Sequence, residues 1–408
     1  MSKASLFSEL PEAPLDPILG LNQQFLADPS PNKINLGVGA YRTEEGKPLI
    51  LNCVKKAEEI VDNSGKFNKE YLPIDGPADF YNASQKTLFG DTVATHGDKF
   101  VSVQALSGTG ALRIGMEFVK KFFPKDTTVY ISDPTWPNHK NICTAAGVPW
   151  KNYRYYSRQK NALDMAGLLE DISAAPDRSI ILLHVCAHNP TGMDPTPDQW
   201  NDIANLIQKK NHIPFFDCAY QGFASGDLDR DAEPLKDFVR RGFELFVAQS
   251  FAKNFGLYGE RVGTLTVVTA QTQTVKALRS QLKSIIRANY SSPPAHGAYV
   301  TQVVLTDEKL LREWKEELKG MAGRILDMRV KLYEALKQRG IHWEHVMKQI
   351  GMFSYTGLNP EQVQILIQKH HIYLTGDGRI SLAGLSTRTV PILADAIVDA
   401  LTLTTQKL

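Results

Sequence analysis

Between about residue 100 and residue 270, short apolar, β-branched runs alternate with segments in which apolar residues recur every three or four positions. The runs are FVSVQAL, TVYIS, NYRYY, SIILLHV, IPFFD, ELFVAQS and VGTLTVV. This alternation predicts an α/β fold, with a mostly parallel central sheet and helices on both faces. In such sheets, functional groups collect at the carboxyl ends of the strands. Farther along, Leu311, Trp314, Leu318, Met321, Ile325, Met328, Leu332 and Leu336 are spaced by three and four residues. They predict one long amphipathic helix whose apolar stripe is core. After it come a strand in MFSYTGL, a helix in PEQVQILIQKHH, two strands around GDGRISLAGL and a closing helix, which together make a smaller α+β domain. No internal repeat or low-complexity linker interrupts the chain, so the boundary is expected inside the long helix. The expected division is residues 1–45 as an N-terminal segment joining the small domain, 46–319 as the large domain and 320–408 as the small domain.

Composition narrows the function classes. The chain has 408 residues, enough to bury a deep site across two domains. Forty-six basic residues against 44 acidic ones give a net charge of +2, too little to draw in a nucleic-acid backbone. Cys53, Cys143, Cys186 and Cys218 are scattered and form no CxxC pair, as expected of buried thiols in a reducing compartment. The opening MSKASLFSELPEAPLDP fits neither an apolar signal core nor an Arg-rich transit peptide, so the cytoplasm is the expected location. No apolar run approaches the roughly 20 residues that span a bilayer. The sequons at Asn82 and Asn289 carry little weight without a secretory signal, and the terminal QKL only faintly echoes a peroxisomal address.

Several motifs invite a chemical reading. SGTGALRIG begins like a dinucleotide fingerprint but has Arg113 at the third glycine position, and EEGKP lacks the first glycine of a P-loop. What SGTGALRIG offers is a strand-to-helix turn whose free N–H groups and helix dipole suit a phosphate, with Ser107 and Thr109 adding hydroxyls. A plain helix cap explains the same residues. His184, Cys186 and His188 are spaced to share one face of a strand, but no fourth ligand is near and packing explains them better than a metal. SFAK matches the SxxK of serine acyl-enzymes, yet the SDN and KTG companions are missing.

Lys253 is the anomaly of the sequence, a lysine among small and apolar residues in SFAKNFGLYGERVG. Such surroundings disfavour the ammonium, and the free amine can condense with an aldehyde to a Schiff base. The aldehyde best suited to this is pyridoxal phosphate, whose ring withdraws electrons only while its nitrogen is protonated. Asp217, ending IPFFD, can hold that proton, and Tyr220 three residues on can reach the phenolic oxygen. At 4 Å and an effective dielectric of 20 the charge pair is worth roughly 4 kcal/mol, or about three pKa units. Taken alone, Asp217 reads first as a helix N-cap.

With INLGVGAYR, EYLPIDG, SGTGALR, DPTWPNH, CAHNPTG, FFDCAYQGFASG, SFAKNFGLYGERVG, IIRANYSSPPAHGA, GMFSYTGL and GRISLAGL in this order, the chain resembles the class I pyridoxal-phosphate-dependent aminotransferases over about 350 residues. The resemblance implies the fold of that family, and it implies pyridoxal 5'-phosphate bound to Lys253, which would also shuttle the substrate's α-proton. Asp217 would pair with the ring nitrogen, His139 would buttress Asp217, and Trp136 would stack on the ring. Asn189 and Tyr220 would bond the ring oxygen. Ser107, Gly108, Thr109, Ser250 and Arg261 would hold the phosphate, with Tyr71 reaching in from a partner subunit, which implies a homodimer with shared sites.

Substrate choice would follow from two arginines. Arg379 would take the α-carboxylate as a bidentate fork, and Arg287, from the other subunit, the side-chain carboxylate. Gly39 would touch the substrate through its backbone alone. The implied reaction is ping-pong transamination of L-aspartate with 2-oxoglutarate, giving oxaloacetate and L-glutamate. An aromatic or broad-specificity aminotransferase on the same scaffold is the nearer alternative, and a non-catalytic binding protein the remoter one. Ser292 stands where many members carry asparagine, and Ser107 where some bacterial members carry glycine, which leaves the strictness of substrate preference open.

Overall fold

Residue 5 and residues 7–65 and 67–405 are described by a computed structural model. The terminal QKL and the first residues of the opening segment lie outside that range. The seven apolar runs form one seven-stranded sheet: β1 (Phe100–Leu106), β2 (Val129–Asp133), β3 (Trp150–Arg154), β4 (Ile180–His184), β5 (Ile213–Cys218), β6 (Leu245–Ser250) and β7 (Val262–Val268). Their order across the sheet is β1-β7-β6-β5-β4-β2-β3. Strands β3, β2, β4, β5 and β6 run parallel, while β7 is antiparallel to both β1 and β6. The NYRYY run is shorter as a strand than its pattern predicts. Strand β3 stops at Arg154, and Tyr156–Ser157 turns away to pair with Ala162–Leu163.

Strand alternation sorts the side chains into two cores. Ile181, Leu183, Phe216, Leu245 and Val247 point to a face covered by the helices Met165–Ala174, Pro197–Lys209 and Glu233–Arg240. Val103, Leu182, Phe215, Phe246 and Leu265 point to the other, covered by Ser107–Phe122, Asn138–Ala146 and Val275–Asn289. A strand buried on both faces is apolar at nearly every position, which is why these runs are so continuous.

A third core gathers around the helix Glu308–Gln338, which Asp307 caps through bonds to Lys309 N at 2.8 Å and Leu310 N at 3.0 Å. Its buried stripe starts at Leu310, with Leu311 only half-buried. The cap sets the helix phase, and Leu310 is the residue one turn before Trp314 on that phase. The strands around GDGRISLAGL pair outward instead of with each other. Arg379–Ser381 is antiparallel to Phe353–Tyr355, and Ile372–Tyr373 is parallel to Ile34–Asn35. The helices Pro360–His370 and Thr389–Thr405 pack beside them. Among the described residues no helix is long and apolar enough to cross a membrane.

Candidate active site

The carboxyl ends of the parallel strands open onto a cavity of about 190 Å³. Gly39, Ser107, Gly108, Thr109, Trp136, Asn189, Asp217, Tyr220, Ser250, Lys253, Arg261 and Arg379 line it, joined by Ile18, Ala219 and Phe353. Topology explains the convergence. Asp217 lies near the end of β5, opposite His184 on β4 and Ala248 on β6, and Ser250 ends β6. Because β7 runs the other way, its first residues lie at this same end: Val262 faces Leu106 and Gly263 faces Ser250. Arg261 therefore arrives beside Ser107 and Ser250.

One end of the cavity is a polar seat. The Ser107 and Ser250 hydroxyls are 2.8 Å apart at the start of the helix Ser107–Phe122, where backbone N–H groups are unpaired by helix geometry. A Cβ on Gly108 would reach van der Waals contact with Ser250 Cβ at 3.4 Å, filling the space beside the two hydroxyls. Two hydroxyls, a helix N-terminus and a guanidinium form a donor set that suits a phosphate dianion.

The centre holds the charges. Asp217 Oδ2 lies 2.9 Å from His139 Nε2, and His139 Nδ1 lies 2.8 Å from Thr135 Oγ1. Burial works to raise the Asp217 carboxyl, but the His139 hydrogen bond, with the His139 and Lys253 charges nearby, brings it below its ordinary value. Half-buried Lys253 is pushed below the usual lysine range by burial, against the pull of Asp217 and with help from Arg261. Its Nζ is 5.1 Å from the centre of the Tyr220 ring. Trp136 meets His139 edge-on, with ring centres 5.2 Å apart. An electron-poor ring set between Lys253 and Asp217 would thus meet a carboxylate that stays ionised and an amine that is easily freed.

The far end is built around Arg379, which is buried. Its Nη1 donates to Asn189 Oδ1 at 3.1 Å and its Nη2 to Gly37 O, while Nε has no partner. The Phe353 ring covers the guanidinium at 4.3 Å. A Cβ at position 39 would lie 2.7 Å from Phe353 Cζ, so any larger residue there would have to displace that ring. An orphaned guanidinium N–H in a buried wall is a ready partner for a carboxylate.

Two expected residues stand apart from this cavity. The Tyr71 side chain is 84% exposed, and Arg287 is exposed with its guanidinium on Ser291 Oγ. The His184, Cys186, His188 trio does not share a strand face, because β4 ends at His184. Beyond it the chain turns, with Ala187 at φ 50 and Asp194 accepting from Ala187 N and His188 N. His188 bonds Ser132 Oγ at 2.9 Å and Thr191 Oγ1 at 2.8 Å. His184 stands edge-on to His139 at 5.3 Å and is held neutral, its pKa lowered to about 3 chiefly by burial and then by His139. Among the described residues no group of three or more His, Cys, Asp or Glu side chains is placed to hold a metal ion. Sequence reasoning missed Thr135 and Phe353 altogether. Thr135 had a signal, since it lies four residues before His139 in DPTWPNH; Phe353 stood within GMFSYTGL, but nothing there singled it out from its neighbours.

Comparison with known proteins agrees with this geometry. The family model described as aminotransferase class I and II matches residues 31–397. A relative from Dictyostelium discoideum, "Aspartate aminotransferase, cytoplasmic", is 53% identical over 403 residues, covering 98% of this chain and 91% of its own. Relatives described as chloroplastic and mitochondrial match over similar lengths. The aspartate aminotransferase from Saccharomyces cerevisiae cytoplasm superposes with a TM-score of 0.95 at 43% identity, covering 98% of this chain and 99% of that one. An aromatic-amino-acid aminotransferase from Burkholderia pseudomallei, solved covalently bound to pyridoxal phosphate, gives a TM-score of 0.93 at 41% identity, covering 98% of this chain and all of that one.

Proposed function

The chain belongs to the class I and II aminotransferases, and from that premise we propose that it catalyses the reversible transamination of L-aspartate with 2-oxoglutarate to oxaloacetate and L-glutamate. The observation that carries the reading is the cavity itself, where Lys253 and Asp217 face one space flanked by the Ser107, Ser250 and Arg261 seat and by Arg379.

When bound, pyridoxal 5'-phosphate supplies an aldehyde that takes up the amino group and a cationic ring that delocalises the electrons of the α-carbon. Lys253 would hold its aldehyde carbon, Asp217 its ring nitrogen, and Ser107, Gly108, Thr109, Ser250 and Arg261 its phosphate. Trp136 would cover the ring face, and Asn189 with Tyr220 would bond the ring oxygen. His139, tied to Thr135, keeps Asp217 oriented and ionised.

Arg379 would bind the α-carboxylate of the substrate, fixing the α C–H bond toward Lys253. Lys253 Nζ, freed when the substrate's amino group takes its place, would accept that proton and return it to the carbon that had carried the aldehyde, as a free amine of lowered basicity allows. Gly39 lets its backbone approach the substrate and, with Phe353, helps exclude water. Arg287 from a second copy would take the distal carboxylate, and Tyr71 from that copy would join the phosphate seat; the exposure of both side chains supports this reading. The N-terminal 45 residues and those after about 320 would form the small domain that closes on substrate. The cytoplasmic relatives support a cytoplasmic location.

A coupled assay over a panel of amino donors tests the function. Aspartate and glutamate are expected to lead, and a kcat/KM for phenylalanine equal to that for aspartate would favour the aromatic or broad reading that the Burkholderia neighbour keeps open. In the same assay Lys253→Ala should lose nearly all turnover while still binding the cofactor. Full activity in that variant would reject the assigned role.

A further inference from the structure

Among the buried Asp, Lys and Arg side chains, Arg329 is the most enclosed. It lies on the helix Glu308–Gln338, is 1% exposed, and makes no ion pair among the described residues. Its guanidinium donates to Val346 O at 2.9 Å, Gly351 O at 2.8 Å and Phe353 O at 2.9 Å. Burial alone pushes it down to about 9. A buried, unpaired cation is costly, and this one directs its bonds to a single stretch of backbone.

That stretch leads into the active site. On its other side Ile350 N donates to Gly192 O at 2.7 Å, and a Cβ on Gly192 would come within 2.9 Å of Phe353 O. Gripped from both sides, Phe353 presents its ring 4.3 Å from Arg379 Cζ and edge-on to Tyr220, with ring centres 5.5 Å apart. The ring also fills the space a side chain at Gly39 would need.

We propose that Arg329 is a positioning residue for substrate binding: it fixes the Phe353 ring over the Arg379 guanidinium, and through that ring sets how tightly the α-carboxylate is held. The inference rests on the proposed transaminase function. A ring at the right height keeps water off Arg379, so a carboxylate meets a poorly screened guanidinium. If Phe353 sags, water competes for the same N–H groups and the fork loses its orientation.

Holoprotein carrying Arg329→Lys, Phe353→Leu or both provides the test. Each single variant should raise KM for aspartate and for 2-oxoglutarate by about tenfold with kcat little changed, and the double variant should be no worse than either single one. Calorimetric titration with succinate, a dicarboxylate that cannot react, should show the same weakening, while the visible absorbance of the bound cofactor stays as in the unaltered protein. Unchanged KM and succinate affinity in Arg329→Lys would overturn the proposal, as would effects of the two substitutions that multiply. Failure of Arg329→Lys to yield holoprotein would overturn it too, by showing that the arginine serves the fold itself. Lack of turnover in the unaltered chain would instead reject the transaminase function, and the succinate titration would still decide the part played by Arg329.

Discussion

Asp217 is buried and Lys253 half-buried, and burial works against the charged form of both. The Asp217 pKa nevertheless falls, because His139 donates to the carboxylate and Lys253 lies near it; the Lys253 pKa falls chiefly through burial, with Arg261 adding to the cost of its charge against the pull of Asp217. A lowered lysine pKa means that more free amine is present at any given pH, so capture of an aldehyde should gain from rising pH only until Lys253 is neutral. In the cofactor-free protein, the rate of borohydride-trappable adduct formation is therefore expected to climb with pH and level off below 10.5, the ordinary lysine value. A rate still climbing at that pH would mean an ordinary, solvated amine. This residue was legible in the sequence, since a lysine among small residues after an apolar strand has no packing explanation. Arg329 and Phe353 were not, because an arginine in an amphipathic helix and a phenylalanine in a strand look unremarkable until the fold ties Arg329 to the Phe353 carbonyl and sets the Phe353 ring over Arg379.

At the scale of elements, the seven runs marked all seven strands of the main sheet; burial on both faces keeps polar residues few in six of them, whereas β3, exposed at Lys151, Asn152 and Arg154, was marked by its aromatic residues. Direction was not legible: nothing in VGTLTVV announces that β7 runs against its neighbours. The phase of the long helix was nearly so, off by one residue at its start, where the Asp307 cap decides. The close packing of β7 carries a prediction of its own. A Cβ on Gly263 would stand 2.3 Å from Gln249 O and 2.8 Å from Ser107 Cα, both backbone atoms that cannot swing aside. Gly263→Ala should therefore lower stability by about 1–3 kcal/mol, as overpacking does, and weaken cofactor affinity by parting Ser107 from Ser250. Urea denaturation and cofactor titration check the two effects, and unchanged values in both would show that the strand has slack.

At the scale of the whole molecule, Ile50, Ile60 and Tyr71 expose apolar surface, as do Phe7 and Leu10. Apolar side chains left facing water are ones that a partner chain would cover, in keeping with the proposed homodimer. If Arg287 acts on the partner's substrate, two inactive variants should complement each other. In a mixed dimer of Lys253→Ala and Arg287→Asp chains, one site inherits both defects and the other inherits neither. Refolding the two together in equal amounts should restore roughly a quarter of normal dicarboxylate activity, since half the dimers are mixed and each has one good site of two. No recovery in demonstrably mixed dimers would confine each site to its own chain.

The reversed strand has a further consequence. Strand β1 sits at the border of the sheet and is zipped to it by β7 alone. Ser107 hangs from the tip of β1, while Ser250 and Arg261 belong to the next rungs inward. A molecule whose border has peeled open would still look folded by most measures, yet it would have let go of its vitamin-derived guest. Fading of the yellow colour under mild denaturant should thus run ahead of the loss of helical circular dichroism, making the cofactor a gauge of how firmly the outermost rung is latched.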